Sequence, residues 1–244
     1  MHRRTFLRCA TVAVLGSGVV SGATVASISK SQRTDRIGCT TVSFRQRFAT
    51  TRLKGVSPEG ADLSFLGQPG LTRFDVVVLM FKNYQPIANE EQAWKNPAGF
   101  VRSGKGLAVI HFASGAFPDR PEFRDFIGHA QQKKHDRRGP FTVKIMQAEH
   151  GITRGMANFE TDDERFIDLA GSRPVEVIAT AKSNITGQDH PMAFVLTNDL
   201  GRVFHTTLGH DARALLVSGT GELIRRGTAW AAGQLPERPA KLSP

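Results

Sequence analysis

The body of this chain has no cysteine. Both cysteines, Cys9 and Cys39, fall within the first 54 residues, so residues 55–244 hold no disulfide, no CxxC zinc site and no thiol nucleophile. There is no G-x-G-x-x-G after the first buried run and no Walker A lysine loop, which leaves dinucleotide or nucleoside triphosphate binding without support. No His pair has the HExxH spacing of a self-sufficient metal motif. Internal repeats and low-complexity blocks are absent. The one long apolar stretch, Cys9 to Val25, is rich in Gly, Ala and Ser, a poor composition for a permanent membrane helix.

Basic charge is plentiful but badly distributed for a nucleic-acid binder. The formal charge of +10 comes almost entirely from residues 1–54, which carry ten Lys/Arg against Asp35 alone. The remaining 190 residues carry 22 Lys/Arg against 21 Asp/Glu. With no basic stripe interleaved with aromatics, no nucleic-acid partner is expected.

At 244 residues and 40% apolar composition, the chain can bury one full core. Residues 1–27 read as a twin-arginine-type signal segment: Arg3-Arg4-Thr5-Phe6-Leu7, the apolar stretch, then small residues permitting cleavage near Ala26. This predicts an exported, periplasmic or extracytoplasmic protein; a cytoplasmic one follows if the N-terminus is a gene-fusion artefact. Residues 28–54 are linker with an atypical strand at Ile37 to Phe44, and Gly55 to Thr72 is loop. From Phe74 the pattern is regular. Strands are predicted at 74–81, 106–112, 141–146, 175–181, 192–197 and 202–206. Helices are predicted from Asn89 (as N-cap) to Arg102, at 121–130, at 161–169 as a short acidic helix or turn, and at 212–232. The charged run 131–140 is expected to be a solvated loop, and 234–244 a Pro-rich tail. Strands alternating with helices indicate a βαβ sheet with helices on both faces.

The chain is organised around Gly106 to Phe117, an apolar strand followed by a small-residue turn. Ligand sites in open α/β sheets lie beyond the carboxyl ends of such strands, where His111 and Ser114 stand. His150 follows the strand 141–146 and His210 follows 202–206, so three imidazoles from three strand ends can share one crevice. Imidazoles serve there as acid/base groups or as ligands of a divalent metal such as zinc. Asp211 and Glu164 are their carboxylate partners. Glu164 ends a run of four carboxylates in five positions, which repel unless solvated, paired or metal-bound. The turn lacks Gly-x-Nuc-x-Gly: aligned on Gly115, the nucleophile position is Ala113, with Ser114 one place out of register. Acyl transfer at this turn is therefore not expected.

Taken in order, Phe74 to Leu79, Gly104 to Leu107, His111 to Phe117, His150 to Met156, Phe159 to Glu164, Pro191 to Phe194, Gly201 to Phe204, Thr207 to Asp211 and Gly227 to Ala231 resemble the ThuA-like (trehalose utilisation) family. That family lies within the class I glutamine amidotransferase-like superfamily. The resemblance spans roughly residues 60–233, placing a ThuA-like domain at 55–233. It implies an α/β, flavodoxin-like, doubly wound and mostly parallel sheet, and a link to carbohydrate metabolism. The superfamily's Cys–His–Glu triad is not carried over, because Ala113 stands at the elbow and His210-Asp211 replaces His-x-Glu. The family's first strand with its histidine-bearing loop is also missing; either Ile37 to Phe44 replaces it, or the chain is truncated or fused.

The expectation is thus a protein acting on trehalose, another glycoside or a keto-sugar, with a small-molecule carbohydrate as partner. Catalysis is assigned to His111, His210, Asp211 and Glu164, substrate contacts to Ser114, Phe117 and Arg154, and a metal to His111, His150 and His210. The alternatives are a non-catalytic carbohydrate-binding or accessory domain, or a truncated inactive homologue.

Overall fold

The computed structural model describes residues 12–15, 71, 74–81 and 90–234. The expected strand at Ile37 to Phe44, both cysteines, the linker, the loop 55–70, the Asn89 cap and the tail from residue 235 lie outside the described residues, as does all of the predicted signal segment except 12–15. Ten strands are described: β1 (Val12–Leu15), β2 (Val76–Leu79), β3 (Gly106–Ile110), β4 (Ala130–Gln131), β5 (His135–Ile145), β6 (Phe159–Phe166), β7 (Leu169–Ala170), β8 (Glu176–Lys182), β9 (Asp189–Asn198) and β10 (Gly201–Thr206). The described helices are α1 (Glu90–Arg102), α2 (Pro121–Phe126), α3 (Ala212–Leu216) and α4 (Ser218–Ala231).

Eight strands form one curled sheet in the order β1-β2-β3-β10-β9-β8-β5-β6, and β4 pairs with β7 apart from it. β2 and β3 are buried at every residue, which is why they read as unbroken apolar runs. Their side chains alternate between two cores. Val77, Leu79, Leu107 and Val109 pack with Trp94 and Val101 of α1 and Phe123 and Phe126 of α2. Val76, Val78, Ala108 and Ile110 pack with Leu223, Ile224 and Trp230 of α4. Helices therefore cover both faces, as expected. The α4 layer lies unusually close: a Cβ on Gly106 would stand 2.3 Å from the Ala231 carbonyl oxygen, and one on Gly227 would stand 2.5 Å from the Phe204 ring. No described helix is long and apolar enough to cross a membrane.

The sheet is parallel at one end only. β2, β3 and β10 run parallel, but β1–β2, β10–β9, β9–β8, β8–β5 and β5–β6 are antiparallel. The expectation of a mostly parallel sheet is corrected here, and connection length gives the reason. A parallel step needs a crossover of a dozen or more residues, whereas only Asp199 and Leu200 separate β9 from β10. Asp199 takes φ of +50°, a conformation Asp tolerates in tight turns.

Three local expectations also change. The acidic stretch Thr161 to Leu169 is mostly strand β6, with Thr161, Asp163 and Arg165 turned inward. The charged run 131–140 is not a loop: its second half begins β5, because Asp136 is buried against Arg165 at 2.9 Å and accepts hydrogen bonds from the Ser183 hydroxyl and the Asn184 N–H. Satisfied in this way, a carboxylate can sit inside a sheet. The single helix expected at 212–232 is two helices, broken at Val217, whose backbone is extended at φ −59°, ψ +126°.

Candidate functional site

β3 ends in a strained residue, and that residue is His111. It opens a 3-10 turn, His111–Gly115, with φ of +45°. Such backbone costs on the order of 1–3 kcal/mol for a residue other than Gly and persists where the surroundings impose it. His111 thus stands at the apex of an elbow-like strand-to-helix turn. Ala113, assigned to the nucleophile position from the Gly115 register, lies two residues further on and is fully buried.

His111 has no exposed surface. Its Nδ1 lies 2.5 Å from the Thr207 carbonyl oxygen; only a donor suits a carbonyl, so the proton is on Nδ1 and Nε2 keeps its lone pair. Burial lowers its pKa to about 4, a nearby His210 adding to the effect, which keeps the ring neutral. Nε2 has no protein hydrogen-bond partner and lies 3.7 Å from Glu164 Oε2. The same oxygen lies 3.3 Å from His210 Nδ1 and 3.9 Å from His135 Nδ1. Three imidazoles surround one carboxylate.

Glu164 stands opposite a bulge in β5. β5 and β6 pair Asp136 with Arg165 and Gly139 with Asp163, so Arg137 and Arg138 stand opposite Glu164 alone. Two residues against one is a β-bulge, which bends the strand and re-aims a side chain. Burial would raise the Glu164 pKa, but the His210 hydrogen bond and the surrounding imidazoles prevail and lower it. In turn Glu164 raises the pKa of His210. The pair is an ionised carboxylate beside an imidazole that favours its proton.

Asp163 holds the other half of the crevice in place. Fully buried, it accepts the N–H of Gly209 at 2.7 Å, of His210 at 3.2 Å and of Glu164 at 2.8 Å. Burial nevertheless raises its pKa. The walls are aromatic: Phe166 lies 4.7 Å from the His111 ring, and the half-buried Phe112 lies 4.4 Å from His111 and 5.4 Å from His210, centroid to centroid.

The model of the family described as "ThuA: Trehalose utilisation" matches residues 23–231. The chain belongs to the ThuA family. Solved ThuA-like structures agree in fold. One from Parabacteroides merdae superposes with a TM-score of 0.68 at 22% identity, covering 83% of this chain and 88% of that one. Another, from Bacteroides uniformis, gives 0.58 at 18% identity over 78% and 81%. No curated protein sequence matches the chain.

Within this ThuA-family fold the expected residues divide into two groups. His111, Glu164 and His210 meet, their ligand atoms all within 4.8 Å of one another. His150 is not part of that group: its ring lies 5.6 Å from Trp230, and its Nδ1 accepts the Ile152 N–H. The third imidazole of the crevice is His135. Asp211 caps α3 by accepting the N–H groups of Arg213 and Ala214, and it is ion-paired with Arg138. Burial opposes ionisation of Asp211, but Arg138 and the two N–H groups hold its pKa at about 2, so it is a fixed anion rather than a proton carrier. Ser114, buried, accepts the Gln131 N–H at 2.9 Å and anchors β4. Phe117 is a core residue, edge-on to Phe81. Arg154 is exposed, and its carbonyl receives the Arg226 guanidinium.

His135, Asp163 and Phe112 were missed. Along 159–166 only Thr161 is β-branched and the rest between Phe159 and Phe166 is charged, so no alternation marked the strand or placed β5 and His135 alongside it. Nothing in the sequence announces the Thr207 carbonyl.

Proposed function

We propose that the chain is an enzyme of carbohydrate metabolism that transfers a proton at the carbon beside the carbonyl of a keto-sugar. One observation carries the reading: a neutral imidazole whose buried Nε2 has no hydrogen-bond partner among the described residues lies beside an imidazole that favours its proton. Environments that push two like groups apart in pKa mark an acid and a base. His111 Nε2 accepts the proton from the sugar carbon, the electron pair moves onto the carbonyl oxygen, and the protonated His210 imidazole stabilises that oxygen. Phe112 offers an apolar face for the sugar ring.

Direct hydrolysis of an unoxidised glycoside fits less well. That reaction uses two carboxyl groups flanking the bond, and beside Glu164 the nearby carboxylates are committed. Asp211 is held by Arg138, and Asp163 is sealed under three N–H groups. The family description, trehalose utilisation, supports a disaccharide or its keto derivative as substrate.

The test is a panel of glycosides and their keto derivatives assayed with wild type, His111→Asn, Glu164→Gln and His150→Ala, with and without added divalent metal. Turnover by wild type and His150→Ala, reduced on the order of 100-fold or more in the other two, supports the reading. Tight calorimetric sugar binding with no turnover of any substrate would instead identify a carbohydrate-binding module.

A further inference from the structure

His111 Nε2 and Glu164 Oε2 are both acceptors, they face each other at 3.7 Å, and the imidazole is entirely buried with that nitrogen unpartnered. Two acceptors in contact call for a positive species between them. His210 supplies one through its proton, but its Nδ1 stands 3.3 Å from the same oxygen, which completes a triangle of ligand atoms.

We infer that His111, Glu164 and His210 form a site for a divalent transition-metal cation, with zinc the chemically closest fit. This deepens the reading above and rests on it only for the role of the ion. Ligands at about 2.0–2.1 Å in a tetrahedron stand roughly 3.4 Å from one another. Two of the separations, 3.3 and 3.7 Å, lie within a few tenths of an ångström of this, and all three ligand atoms lie within 4.8 Å of one another. Two imidazoles with one carboxylate suit zinc, manganese or iron rather than calcium, and they leave a position open for a substrate oxygen.

The surroundings are those of a ligand set. The His111 Nδ1–H is committed to the Thr207 carbonyl, which fixes the tautomer that presents Nε2 as a donor of electrons. The backbone N–H of His210 is held by Asp163, and Glu164 stands on β6 opposite the β5 bulge. The cation takes the place of the His210 proton and does the same work, holding positive charge against the sugar oxygen. With the ion bound, His111 Nε2 is a ligand and no longer the base, and the base role passes to the part-exposed His135, 3.9 Å from Glu164 Oε2.

Binding is measured without any sugar. Full-length protein stripped with chelator is titrated calorimetrically with zinc and manganese, and with cobalt while the visible absorption is followed. The inference expects one ion per chain and a tetrahedral or five-coordinate cobalt spectrum. It expects affinity to fall on the order of 100-fold in both His210→Ala and Glu164→Gln and to stay unchanged in His150→Ala. His210 is part-exposed, so its variant tests the site even if Glu164→Gln unfolds. No binding of any of the three ions, or binding unchanged in His210→Ala, overturns the inference. A protein that binds the ion yet turns over no sugar would sink the proposed function and leave the metal site standing; one that turns over sugar but binds none of the three ions would do the reverse.

Discussion

His205 and His111 are both fully buried, yet they answer different needs. His205 sits in β10 with its ring 4.5 Å from Phe194 and its Nδ1 at 3.4 Å from the Ile127 carbonyl; it is a core residue. Burial drives its pKa down to about 3. In the unfolded chain the ring titrates near 6.5, so between about 3 and 6.5 the unfolded state binds more protons, and stability rises with pH across that window. Denaturant unfolding measured from pH 7 down to pH 4 should therefore show steadily falling stability. His205→Leu should remove up to about 1.4 kcal/mol per pH unit of that slope; a slope equal to wild type would contradict the assignment. His111 is the residue whose sequence position said most, because the apolar run ended on it. Burial keeps it neutral, and its tautomer and orientation come from a backbone carbonyl 96 residues away; no side-chain pattern encodes either.

Among the elements, the β5–β6 hairpin decides what the crevice contains. The expectations of a loop at 131–140 and a short acidic helix or turn at 161–169 follow from charge, and the structure departs from both for one physical reason: the carboxylates are neutralised in place. Asp162 and Asp211 share Arg138, Asp136 is met by Arg165, and Asp163 by three N–H groups. Asp163→Asn keeps the shape but turns an amide donor toward N–H donors. It should lower stability by roughly 1–3 kcal/mol and reduce turnover, with the conservative Asp163→Glu failing to restore it in so tight a space. The companion prediction concerns the bulge. Arg138→Ala removes the ion pairs to Asp162 and Asp211, leaves Asp211 its Arg213 contact and cap hydrogen bonds, and should lower stability by up to about 1 kcal/mol in thermal melts while leaving His111 in place.

For the whole molecule, the parallel strands toward one end of the sheet were legible in the sequence and the antiparallel wing was not. Val76–Leu79 and Gly106–Ile110 announce themselves as runs buried on both faces. The wing strands carry charges that only pairing explains. The close α4 layer yields a further test: Gly227→Ala drives a methyl group into the Phe204 ring, and overpacking of that kind costs about 1–3 kcal/mol, a drop in Tm of roughly 2–12 °C for a chain of this size. Val to Ile changes at the sheet edge have no such expectation. The central claim is that the crevice built by this fold moves protons on a keto-sugar, and exchange in D2O measures it most directly. Incubation of a keto-glycoside with wild-type protein, followed by NMR, should show deuterium entering the carbon beside the carbonyl, or product bearing it, at a rate that falls on the order of 100-fold in Glu164→Gln and is unchanged in His150→Ala. Exchange no faster than in buffer, or equal in wild type and Glu164→Gln, would contradict the account.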